Sequence, residues 1–171
     1  MKSLHNYISE RLIINKYFEN VKTFSFKPQY RKHIKIFNRD WPEFETYKDK
    51  VYMNGKKINI NPNGTTGQSF FKGLYEFEIK GIDNIKTCDH MFSNCTDLFE
   101  VPEINTTNVR FMNSMFSGCT GLYRVPLFDV SNVENMSWMF YACENLSTAT
   151  VLRWNKIYNF SRNDKININN I

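Results

Sequence analysis

The sequence predicts an α/β repeat fold, a short solenoid of three 24-residue turns behind a β-rich cap, and three observations carry that prediction. Met91-Phe92-Ser93-Asn94-Cys95, Met115-Phe116-Ser117-Gly118-Cys119 and Met139-Phe140-Tyr141-Ala142-Cys143 stand 24 residues apart. The same interval joins Asn84, Asn108 and Asn132, and it joins Val101-Pro102 to Val125-Pro126. Leu98, Leu122 and Leu146 close the three copies. A period of roughly 20–29 residues with Leu at fixed places is that of leucine-rich repeats, in which each turn supplies a strand and a helical or irregular return.

In chain order, Leu4, Tyr7, Ile8, Leu12 and Ile13 fall at helical spacing. Residues 1–20 are therefore expected to carry an amphipathic docking helix, with Tyr7 and Ile8 on the face that meets the protein's own domain or a partner. Residues 21–81 read as a β-rich capping region. Thr23-Phe24-Ser25-Phe26 and Leu74-Tyr75-Glu76-Phe77-Glu78-Ile79 alternate, the pattern of half-buried strands. Asn54-Gly55 between the alternating runs of residues 51–60 predicts a hairpin, because both central residues of a type I′ turn need positive φ.

Residues 82–153 are the expected solenoid. Val133, Met136, Met139, Phe140 and Cys143 recur at steps of three and four, which predicts a helical arm, with Ser131 and Glu134 forming its capping box. Residues 98–104 and 122–128 supply the extended arm. A repeat buries its apolar face only against neighbours, so the hairpin region should close one end and Val151-Leu152-Arg153-Trp154 the other. Residues 154–171 form a C-terminal cap or tail, in which Ile166-Asn167-Ile168 either adds a strand or frays.

A length of 171 residues suits one cooperative body, and 42% hydrophobic with 23% charged residues suits a folded chain. The net charge of +5 is spread from Lys2 to Lys165, with short clusters such as Tyr30-Arg31-Lys32-His33. That reads as a solvated surface, and no nucleic-acid partner is expected. No apolar export leader opens the sequence, and no stretch reaches the roughly 20 apolar residues of a membrane span. A cytoplasmic protein without a membrane partner is expected, or a virion protein if the source is a phage.

Ser131-Asn132-Val133-Glu134-Asn135-Met136-Ser137-Trp138-Met139-Phe140-Tyr141-Ala142-Cys143-Glu144-Asn145-Leu146 resembles the BspA-like leucine-rich repeats of Mycoplasma and gut-bacterial surface proteins, with their Ser-Asn-Val, Met-Phe and Cys-x-x-Leu. The resemblance covers about residues 82–153. It implies a right-handed solenoid used for adhesion or protein binding, with no catalytic residues. Residues 1–16, Met1-Lys2-Ser3-Leu4-His5-Asn6-Tyr7-Ile8 and onward to Lys16, resemble a leader found on proteins of crAss-like phages of gut Bacteroidetes. Two departures stand against the surface role: the export signal is lacking and the copies number only three.

The chemistry points away from catalysis. Cys88, Cys95, Cys119 and Cys143 are spaced by 7 and 24 residues, unlike the close Cys pairs of zinc sites, so they read as buried apolar thiols and no metal is expected. His90 follows Asp89 but no nucleophile motif accompanies it, so it reads as an exposed turn residue. Residues 61–69 are Gly-rich but lack the Lys of a phosphate loop and read as a surface loop, so no cofactor is expected. Phe99, Glu100, Tyr123, Arg124, Ser147 and Thr148 occupy equivalent places in successive turns. They are expected to form one face that binds a protein partner, with oligomerisation possible. The expected function is thus a non-enzymatic interaction module of the leucine-rich-repeat type. The alternatives are a virion component docked through its N-terminal helix and a cell-surface adhesin.

Overall fold

The computed structural model describes residues 21–158. The docking helix expected in residues 1–20, with Tyr7 and Ile8, and the strand or tail expected at residues 166–168 lie outside the described residues. Within them run β1 (Val21–Phe26), β2 (Lys32–Lys35), α1 (Phe44–Tyr47), β3 (Val51–Met53), β4 (Lys56–Lys57), β5 (Thr65–Phe70), β6 (Tyr75–Lys80), β7 (Leu98–Glu100) and α2 (Thr148–Tyr158). The strands build two antiparallel sheets, one ordered β4-β3-β6-β1-β7 and one made of β2 and β5.

Alternation sets the inner face of the larger sheet. β1 pairs with β6 so that Phe24 lies opposite Phe77 and Phe26 opposite Tyr75, and Phe24, Phe26, Phe77 and Ile79 are fully buried. β3 and β4 pair across Asn54 (φ 51°) and Gly55 (φ 74°), the positive angles that a type I′ turn demands. Before β5, the Gly64 carbonyl accepts from the Ile36 amide at 2.9 Å, and a Cβ there would lie 1.9 Å from the Phe37 carbonyl oxygen. Only glycine, here at φ 84°, fits. The Gly-rich segment is therefore partly buried and packed against the β2 side, not the surface loop its composition suggests.

The expected leucine-rich-repeat solenoid is overturned. The protein is a small mixed α/β domain with two short helices and two antiparallel sheets. Residues 101–147 hold no helix and no strand, only isolated parallel bridges at Glu100–Arg124 and Phe111–Asn135. The physical reason lies in the backbone. His90, Ser114 and Trp138 take φ of 57°, 54° and 60°, while Asn94, Gly118 and Ala142 take 59°, 74° and 55°. A pair of left-handed residues four positions apart in each copy interrupts any helix there. The apolar spacing of three and four comes instead from successive tight turns, in which the amides of Met91, Cys95 and Leu98 donate to the carbonyls of Cys88, Phe92 and Cys95 at 3.1, 2.9 and 3.0 Å.

The expected capping box is also absent. Asp129 accepts from the Ser131 amide and hydroxyl at 2.9 and 2.6 Å, and Glu134 pairs with Arg110 of the preceding turn. What the periodic residues do build is contact between turns. The rings of Phe92 and Phe116 stack at 5.7 Å, and those of Phe116 and Phe140 at 5.6 Å. The Phe92 amide donates to Met115 O and the Phe116 amide to Met139 O, both at 2.9 Å. Phe37 stacks on Phe92 at 5.9 Å, and Trp154 of α2 meets Phe140 edge-on at 5.4 Å. One hydrophobic cluster therefore runs from Phe24 to Trp154, across the boundary expected near residue 82.

Candidate functional site

β7 is held on both sides, and that arrangement makes a groove. On one side Ser25 of β1 pairs with Glu100, and the Lys27 amide donates to Asp97 O at 2.7 Å. On the other, Arg124 bridges Glu100 in parallel, the Tyr123 amide donates to Phe99 O, and the Ser147 amide donates to Tyr123 O, the last two at 2.9 Å. Residues 99, 123 and 147 thus occupy successive rungs.

Because these rungs are in register, the Phe99 and Tyr123 rings stack at 5.7 Å with planes 10° apart. The Lys27 ammonium, arriving from the β1 side, lies 5.0 Å from the Phe99 centroid. Phe99 is therefore covered on both faces. Tyr123 is covered on one and remains 43% exposed, for the next rung holds Ser147, which has no ring. The cavity beside this column encloses about 350 Å³. Thr96, Thr120, Gly121, Lys27, Gln29 and Asn145 line it together with the two rings.

Polar contacts hold this lining in place. Lys32 Nζ meets the buried Asp97 carboxylate at 2.8 Å and the Thr96 hydroxyl at 3.4 Å. The Asn145 side-chain amide donates to Thr120 O at 2.6 Å. Gly121 permits the closest approach, since a Cβ there would stand 2.5 Å from Thr96 O. The lining is thus two stacked aromatic rings, one cation and several neutral hydrogen-bonding groups.

The six described residues expected to form a face divide. Phe99 and Tyr123 come together as the column. Glu100 and Arg124 sit next to it as an exposed pair at 3.9 Å, worth little in water. Ser147 is taken up by capping α2: its hydroxyl accepts from the Thr150 amide at 3.3 Å and shares a hydrogen bond with Thr150 Oγ1 at 2.8 Å. Thr148, the first residue of α2, is exposed and does not line the groove. The reading by repeat position did not single out Lys27, Gln29, Thr96, Thr120, Gly121 or Asn145. The interval from Thr96 to Thr120 was a usable signal, whereas Lys27 and Gln29 reach the groove only through the pairing of β1 with β7.

The four cysteines are free and buried. The Cys119 thiol donates to Phe92 O at 2.9 Å and the Cys143 thiol to Phe116 O at 3.1 Å. Burial pushes the Cys95 and Cys143 thiols up to about 12 and raises those of Cys88 and Cys119 as well. Among the described residues no group of three or more His, Cys, Asp or Glu is placed to hold a metal ion. His90 Nε2 lies 3.5 Å from the Asn113 side-chain nitrogen, and the Asn113 amide donates to Asp89 at 2.7 Å. That set contains no nucleophile. No helix among the described residues is long and apolar enough to cross a membrane.

A family model described as "Mycoplasma protein of unknown function, DUF285" matches residues 65–167, more than half of the 171-residue chain. No curated protein and no solved structure matches the chain.

Proposed function

The chain belongs to the DUF285 family, whose description assigns no activity, and from the groove itself we propose that this member is a non-catalytic binding protein that receives one extended segment of a protein partner. This reading replaces the leucine-rich-repeat module, the virion component and the adhesin. The module and the adhesin rested on a repeat scaffold, which the two-sheet domain overturns, and the virion component rested on a docking helix in residues 1–20, outside the described residues.

The observation that carries the proposal is the column Lys27–Phe99–Tyr123, which ends at Ser147 and leaves one aromatic face uncovered. A flat or aliphatic partner side chain laid on that face extends the column by one rung and shields it from water. Thr96, Thr120 and the Asn145 side-chain oxygen offer hydrogen bonds to the backbone of the same segment.

The test is selection of a random peptide display library on the purified protein. An enriched motif whose binding falls at least about tenfold in Tyr123→Ser, the loss expected of a central aromatic anchor, supports the groove. Failure to enrich any motif, or enrichment indifferent to both Tyr123→Ser and Asn145→Ala, overturns it.

A further inference from the structure

We infer that the tip formed by the turn after β1 and the turn between β5 and β6 docks on an anionic lipid bilayer. The two turns lie side by side: Phe26 pairs with Tyr75, Lys32 with Phe70, and the Gly73 amide donates to Pro28 O at 3.3 Å. Tyr30 is 65% exposed, Phe71 65% and Leu74 58%. Single exposed apolar side chains are ordinary, but three on adjoining turns form a patch.

The charge on the two turns themselves is of one sign, and the exposed acid Glu76 follows on β6, beyond the tip. Lys27, Arg31 and Lys72 are exposed here, and residues 27–39 and 61–75 contain no Asp or Glu. The Arg31 guanidinium lies 5.2 Å over the Phe71 ring and Lys32 Nζ 5.1 Å over the Tyr30 ring. One nearby acid, Asp97, is already paired with Lys32. Apolar side chains ringed by cations match the layering of a membrane surface. Phe71 and Leu74 enter the acyl boundary, Tyr30 sits among the headgroups, and Arg31 and Lys72 meet lipid phosphates and carboxylates. Single-stranded nucleic acid fits less well, because Leu74 offers no stacking face and Arg31 already covers Phe71. Docking at a membrane surface needs no membrane-spanning segment.

Flotation of the full chain with vesicles of phosphatidylcholine, alone or mixed equally with phosphatidylserine, tests the inference. The protein is expected to float with the mixed vesicles only, and high salt should release it. Each cation removed should lower partitioning about fivefold, so Arg31→Ser plus Lys72→Ser costs about twenty-five-fold. Phe71→Ser plus Leu74→Ser should lower it about tenfold or more at unchanged charge. In the variant Leu74→Trp, a blue-shifted emission on adding mixed vesicles reports entry of the tip without relying on a loss. Tyr123→Ser should float normally, which separates this surface from the groove. Equal flotation with both vesicle types, an unshifted Leu74→Trp emission, or a single-stranded oligonucleotide bound by the wild type and lost in Phe71→Ser plus Leu74→Ser would overturn the inference.

Discussion

Phe116 is the residue whose loss should be felt most, because its ring lies between Phe92 and Phe140 and none of it reaches solvent. Phe116→Ala is expected to cost about 3–5 kcal/mol of stability in urea titrations, from lost burial plus an uncollapsed cavity on two sides. Tyr123→Ala, in a column open to water, should cost under about 1 kcal/mol in the same experiment. Similar values for the two would refute the difference in packing. The buried thiols make a second prediction, in pH. Cys95 and Cys143 are raised from 9.0 to about 12 in the folded protein. The unfolded chain therefore releases those protons first, and stability, full below about pH 9, should fall as pH rises toward about 12. Each thiol contributes a slope of up to about 1.4 kcal/mol per pH unit. Urea midpoints compared at pH of about 8 and 10 check this, and an unchanged midpoint would remove the argument.

At the scale of elements, α2 depends on how it starts. Ser147 both holds the rung after Tyr123 and caps α2 through its hydroxyl. Ser147→Ala keeps the rung and loses the cap, so it should cost about 1 kcal/mol in thermal melts while leaving Phe99–Tyr123 stacked. A cost near zero would mean that the packing of Trp154 on Phe128 and Phe140 alone sets the helix. The strands were legible because alternation and Asn54-Gly55 are local signals: β1, β6 and the β3–β4 hairpin follow from them directly. The turns after residue 86 were misread because a stride of three and four suits either a helix or a run of tight turns. Only the left-handed angles at His90, Ser114 and Trp138 separate the two, and in none of the three does glycine announce the angle.

For the whole molecule, the continuous cluster from Phe24 to Trp154 predicts one cooperative unfolding transition. Far-ultraviolet and near-ultraviolet circular dichroism melts should coincide. Two separated transitions would show that residues 21–81 fold apart from the stacked turns. Half of the groove was likewise readable in advance. The 24-residue interval placed Phe99 and Tyr123 together, whereas Lys27 and Gln29 joined them only because β1 pairs with β7 across about seventy intervening residues.

The sequence by itself determined which side chains share a column. Equal spacing and like size brought Phe92, Phe116 and Phe140 into stacking, and Cys95, Cys119 and Cys143 into the same dry interior. Tertiary structure decided the path of the backbone between those columns, and with it the fold class. Steric limits on φ and hydrogen bonds between turns, as from Phe92 to Met115 and from Phe116 to Met139, act across distances that a local apolar pattern does not encode.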